Sequence, residues 1–315
     1  MTEKIPVWLD VDTGVDDSAA LLVACKLPQL DIRGISAVAG NVERRRSFEN
    51  TRRVLALAGR ADIPVYPGAE KPLFVELETA AHVHGVSGLG RAQLDPSPAP
   101  EETVPAWDAL YTAAAACGGE LQVIAVGPLT DLAIAFQKYP DLKALIKRIL
   151  IMGGAAKGGN VTPCAEFNIA ADPHAAQMVF KSGVPVVMCG LDVTMQAFMT
   201  HPELAVIERK DTPVCRFVKD AISMAKEFYE RIVGPFVCLH DVCPVLYVTH
   251  PHLFHGEEAG VFVETRGTIT NGKTVTDLWS DKQFPEKNAF VVLDVDREAF
   301  VEKFMGLMAK YGRQA

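Results

Sequence analysis

Four aspartates fall within eight residues near the start of the chain: Asp10, Asp12, Asp16 and Asp17, in the stretch PVWLDVDTGVDDSAALL from Pro6 to Leu22. Carboxylates that close raise one another's pKa unless a cation lies between them. A divalent metal answers that demand, and an all-oxygen ligand set favours Ca²⁺ or Mg²⁺ over zinc. Helix capping alone accounts for one or two acids at such a junction, not four. An EF-hand loop starting at Asp10 would need Gly and Glu where the chain has Val15 and Leu21. Further along, Asn160, Glu166 and Asn168 gather amide and carboxylate groups around Phe167. That combination suits hydrogen-bonding a polyol while a ring packs on a flat group. His240-Asp241 precedes an apolar helical pattern; such a His titrates near neutral pH, and Asp241 can join the metal set.

Two other motifs point elsewhere and fail. His82-Val83-His84 has no Cys or carboxylate nearby to complete a tetrahedral zinc site, so it reads as part of a mobile loop over a pocket. The glycines and lysine of residues 153–160 lack the G-x-x-x-x-G-K-[ST] order of a phosphate loop.

These groups need a frame. Val7-Trp8-Leu9 reads as a strand buried on both faces, Thr13-Gly14 as a turn, and Asp16 or Asp17 as the N-cap of an Ala/Leu-rich helix. Further strands are expected at 32–38, 63–66, 121–126, 146–152 and 184–189. Helices are expected at 42–58, at 107–116, from Pro128 just inside a helix start, and at 202–231. Near the C-terminus, 260–264, 268–270 and 274–278 read as antiparallel strands, with Asn271-Gly272 as a hairpin turn. A last strand at 291–295 and a helix at 297–310 close the chain. The alternation predicts one α/β domain over residues 1–315. Its sheet is Rossmann-like, open and mostly parallel, with helices on both faces and a small antiparallel C-terminal addition.

Composition narrows the classes. The 315 residues are 49% hydrophobic and 22% charged, enough apolar content for a large core. A net charge of −8 argues against a nucleic-acid partner or an anionic membrane surface. No apolar run reaches the ~18 residues of a membrane span, and no signal-peptide pattern opens the chain. The seven cysteines, odd in number and without a C-x-x-C pair, read as reduced core thiols. Together these predict a cytoplasmic protein.

Asp10, Asp12 and Thr13 resemble the opening of the haloacid dehalogenase-like phosphatases, in which Asp10 would be a phosphorylated nucleophile. A wider resemblance is to the inosine-uridine-preferring nucleoside hydrolase family. Residues 10–17 are similar to its D-x-D-x-G-x-D-D signature. They are followed in the family's order by Val38-Ala39-Gly40-Asn41, His84-Gly85-Val86-Ser87-Gly88, Gly127-Pro128-Leu129-Thr130, Met152-Gly153-Gly154, Asn160-Val161-Thr162-Pro163, Glu166-Phe167-Asn168 and His240-Asp241. This breadth demotes the phosphatase, which also lacks its downstream Gly-Asp segment.

The resemblance implies hydrolysis of the N-glycosidic bond of ribonucleosides with a tightly held Ca²⁺. Asp12, Asp17, Asp241 and the main-chain carbonyl of Val126 would hold the ion; many relatives have Thr at that last place, but a carbonyl ligand does not depend on the side chain. Asp12 would also be the general base, with Asp10 orienting the site from behind. Asp16, Asn41, Asn160, Glu166 and Asn168 would grip the ribose hydroxyls, and Met152 and Phe167 would line the sugar. His240 would stand near the leaving base, with His84 and Tyr229 as further candidates. Relatives suggest a homodimer or homotetramer. A calcium-dependent nucleoside- or sugar-binding protein without turnover is the remaining alternative.

Overall fold

The computed structural model describes residues 4–279, 283, 284 and 286–312. Its strands are β1 (Ile5–Val11), β2 (Leu30–Ala37), β3 (Val65–Pro67), β4 (Leu121–Ala125), β5 (Ile146–Met152), β6 (Val186–Cys189), β7 (Phe198–Thr200), β8 (Phe236–Cys238), β9 (Phe254–Val263), β10 (Thr274–Asp277) and β11 (Ala289–Val295). Alternate side chains of a strand point to opposite faces, and here both faces are apolar. Val7, Leu9 and Val11 of β1 enter one core layer while Trp8 enters the other. Leu150 and Met152 of β5 likewise oppose Ile149 and Ile151.

Such a sheet must be covered twice. Helices Val15–Lys26, Arg44–Leu57, Pro213–Ile232, Val242–Thr249 and Arg297–Ala309 cover the first face. Helices Ala106–Ala116, Thr130–Lys138 and Pro173–Phe180 cover the second. The main sheet has nine strands in the order β10-β9-β11-β6-β5-β4-β1-β2-β3. All neighbours from β3 to β11 pair in parallel; β9 and β10 are antiparallel additions at one edge. The fold is therefore the expected α/β class, with the C-terminal strands built onto the parallel sheet.

Several local expectations are corrected. The cap of the first helix is Gly14, and Asp17 in its first turn accepts the Gly14 N–H. Pro128 precedes Leu129, the cap of the helix Thr130–Lys138, and so lies outside that helix. Residues 268–270 form a turn. The Glu264 carboxylate accepts the N–H groups of Arg266 and Gly267, giving 264–273 a loop structure of its own in place of a tight hairpin. The helical region expected over 202–231 consists of two helices, His201–Glu208 and Pro213–Ile232, flanked by the short antiparallel pair β7·β8. The seven cysteines are unpaired, yet Cys25, Cys117 and Cys164 are only half-buried. Among the described residues no helix is long and apolar enough to cross a membrane.

Candidate active site

Strand order reverses between β1 and β4, and open α/β sheets bind ligands in the crevice at that point, beyond the carboxyl ends of the strands. β1 delivers Asp12 there, and β4 delivers Val126, whose N–H donates to the Asp10 carbonyl at 2.8 Å. Asp12 is fully buried. Its Oδ2 accepts the Asn41 N–H at 2.6 Å, while Oδ1 has no hydrogen-bond partner. Gly40 and Gly127 make room for this carboxylate, because a Cβ on either would run into its oxygens. Asp17 Oδ1 accepts the Asp12 N–H at 3.1 Å, and its Oδ2 takes Gly14 N–H at 2.9 Å and Asn41 Nδ2 at 3.1 Å.

Asp16, Asp17 and Asp241 bring carboxylate oxygens within 4.8 Å of one another. Asp12 is not in that trio, but its charge is felt by Asp241. Burial pushes Asp16 up to about 6, and burial together with the Asp16 charge does the same to Asp17. Asp12 is held well above the usual carboxylate range by burial and then by Asp17; Asp241 is held there by burial and then by Asp16 and Asp17. Asp16 Oδ1, like Asp12 Oδ1, is buried without a hydrogen-bond partner. Oxygen-only donors, mutual repulsion and orphaned lone pairs together fit a hard divalent cation.

The amides and acids expected around a sugar meet on one wall. Asn168 Nδ2 donates to the carbonyls of Val126 at 2.8 Å and Met152 at 3.1 Å. Glu166 caps the short helix Phe167–Ala171, accepting the N–H groups of Asn168 at 3.0 Å and Ile169 at 3.2 Å, and takes Gly154 N–H at 2.9 Å. Burial raises Glu166 to about 7. Asn160 is exposed and its Oδ1 accepts the Phe167 N–H at 2.9 Å. A cavity of about 800 Å³ is lined by Asp16, Asn41, Val126, Met152, Asn160, Glu166, Phe167, Asn168 and Asp241, and also by His84, Tyr229 and His240; His84 Nδ1 lies 3.9 Å from Asp16 Oδ1. Asp12 and Asp17 lie behind that lining.

His240 is held at both nitrogens: Nε2 lies 2.7 Å from Tyr229 Oη, and Nδ1 lies 2.8 Å from Thr194 Oγ1. His84 is not in a loose loop. It ends the helical turn Ala81–His84, is buried, and its Nδ1 accepts the Val15 N–H at 3.1 Å. Burial lowers both histidines to about 4, so each is neutral at pH 7. Asp10 belongs to a different group, on the Trp8 face of β1. Trp8 Nε1 donates to Ser36 Oγ at 3.0 Å, and Ser36 donates to Asp10 Oδ1 at 2.7 Å. Burial and the charge of Asp131 raise Asp10. Thr194, which meets His240, was not among the residues expected at the site; it lies in the one-turn helix Leu191–Thr194 just after β6.

A mostly parallel open sheet thus gathers buried carboxylates and side-chain amides around one cavity at its carboxyl edge, the place where α/β enzymes bind ligands. The inosine-uridine preferring nucleoside hydrolase family model matches residues 7–302. Pyrimidine-specific ribonucleoside hydrolase RihA of Escherichia coli (strain K12) is 40% identical over 301 residues, covering 95% of this chain and 96% of the relative. RihA of Citrobacter koseri is 39% identical over 310 residues, covering 98% and 99%. Among solved structures, the purine-preferring ribonucleoside hydrolase from Gardnerella vaginalis superposes with a TM-score of 0.92 at 31% identity, covering 98% of this chain and 100% of that one. The chain belongs to the inosine-uridine preferring nucleoside hydrolase family and is a ribonucleoside hydrolase. The phosphatase reading falls with that match.

Proposed function

We propose that this chain cleaves the N-glycosidic bond of ribonucleosides to free base and ribose, with a Ca²⁺ ion held by Asp12, Asp17, Asp241 and the Val126 carbonyl. The observation that carries the proposal is the buried oxygen cluster under a cavity whose wall presents Asn41, Glu166 and Asn168. The ion would neutralise the crowded carboxylates, lower the pKa of the attacking water and align it. Asp12 is the general base: Asn41 fixes one oxygen and leaves the other free to take the water's proton. Asp16, Asn41, Asn160, Glu166 and Asn168 hold the ribose hydroxyls, with Met152 and Phe167 against the ring. The carboxylates stabilise the oxocarbenium-like transition state electrostatically.

Asp10 braces the end of β1 through Ser36. His240 assists departure of the base, with Tyr229 and His84 beside it. A binding protein would need the sugar groups but not a free Asp12 oxygen, and the relatives carry hydrolase names. Residues 1–315 act as one catalytic domain, assembled as a homodimer or homotetramer in the cytoplasm. Pyrimidine ribonucleosides are the first expected substrates, because the 40% identical relative is named for them. Reducing-sugar release from uridine, cytidine, inosine and adenosine tests this. Release from at least one supports hydrolysis, and binding without ribose release from any of them contradicts it.

A further inference from the structure

We propose that Thr194 is a positioning residue that sets the direction of the hydrogen bonds running through His240 toward the departing base. This rests on the leaving-group role assigned to His240 above. Thr194 closes the one-turn helix Leu191–Thr194 beyond β6 and is 0% exposed. Its N–H goes to the Gly190 carbonyl at 3.0 Å. Among the described residues its hydroxyl has a single hydrogen-bond partner, His240 Nδ1 at 2.8 Å. On the other side of the ring, Nε2 meets Tyr229 Oη at 2.7 Å.

A neutral imidazole donates from one nitrogen and accepts at the other, so two arrangements are available. If Nδ1–H donates to Thr194, the threonine's own proton is left in the core with no acceptor. A buried donor left unpaired is costly. If Thr194 donates to Nδ1, that cost disappears: Nε2–H donates to Tyr229 Oη, and the Tyr229 proton turns away from the imidazole, shared between the neighbouring Cys238 thiol and a base entering the cavity that Tyr229 lines. Burial of Thr194 therefore selects the Nε2–H tautomer. The donors run outward, from a closed end at Thr194 to Tyr229 at the cavity wall, beside Cys238. A valine in its place keeps the shape and removes the donor; Nδ1 is then left without a partner in either tautomer, so neither the Nε2–H form nor the ring orientation is held any longer.

The test compares Thr194→Val, Thr194→Ser and His240→Ala with the parent on its fastest natural ribonucleoside and on p-nitrophenyl riboside, whose leaving anion needs no help. Long-range ¹⁵N spectra of His240, assigned by its absence in His240→Ala, report the tautomer directly. The parent should be protonated at Nε2. Thr194→Val should lower kcat on the nucleoside about tenfold with KM kept, as for other groups that orient a working histidine. It should spare the aryl riboside, and Thr194→Ser should restore the rate. Protonation at Nδ1 in the parent, equal losses on both substrates, no loss in Thr194→Val, or failure of serine to rescue would each overturn the proposal. His240→Ala slowing both substrates equally would overturn the leaving-group reading instead. A selective His240→Ala beside a non-selective Thr194→Val would overturn the role of Thr194 alone.

Discussion

Asp12 and Asp10 stand two residues apart, both buried, and the structure gives them different surroundings. Asp12 has one oxygen fixed by Asn41 and one without a hydrogen-bond partner among like charges, behind the cavity lining. Asp10 is tied to Ser36 on the Trp8 face within the strand, next to Asp131. Asp12→Asn should therefore cost more than the ~10²–10⁴-fold usual for loss of a general base, because a proposed metal ligand goes with it. Asp10→Asn should cost less. Steady-state kcat on protein shown to be folded checks the order; Asp10→Asn proving the more damaging would reverse the roles. At this scale the acids were legible because crowded like charges demand an explanation in any fold. Thr194 was not, since a threonine hydroxyl acquires meaning only when the chain folds back over 46 residues to meet His240. Glu166 was half legible: its carboxylate was expected on a sugar, and it also caps a helix that only the backbone reveals.

The strand-to-helix junctions carry these residues, and their secondary acids have consequences for stability. Asp131 opens the helix Thr130–Lys138, and its Oδ1 accepts the Ala69 N–H at 2.7 Å while Oδ2 is buried without a partner. Burial raises it to about 7, against about 3.9 in an unfolded chain. Between those values the native state keeps a proton that the unfolded state has released, so this group loses stability as pH rises through that window. Asp131→Asn keeps an acceptor for Ala69 and removes the titration. It should match the parent at pH 4 and exceed it at pH 8, by on the order of 1–2 kcal/mol after allowance for relaxation. Urea midpoints at the two pH values measure this, and a parent that gains on the variant toward pH 8 would refute it. The long elements were legible from apolar runs such as Ile149-Leu150-Ile151. The pair β7·β8 was not: strands of three residues have too few positions to show a period. The loop at 264–273 misled because Asn271-Gly272 is a turn signal whether the turn is tight or wide.

For the molecule as a whole, the sheet order matters more than any element in it. The reversal between β1 and β4 brings Asp12 and Val126 together, the one-turn helix after β6 adds Thr194, and the turn after β8 adds His240 and Asp241. Residues more than two hundred positions apart thereby share one floor. The alternation of strands and helices made the class of fold legible, while the neighbours of each strand, and hence which carboxylates meet, depend on packing across the whole chain. The trio that meets most closely is Asp16, Asp17 and Asp241, and without a cation its charges oppose folding. The central claim is that a divalent ion completes this site and that hydrolysis depends on it. Calorimetric titration of Ca²⁺ into chelator-treated protein, with ribose release followed on the same samples, tests it most directly. The account predicts one ion bound per chain and activity that returns in proportion to occupancy. Full activity in the chelated protein, or saturation with Ca²⁺ that leaves ribose release unchanged, would contradict it.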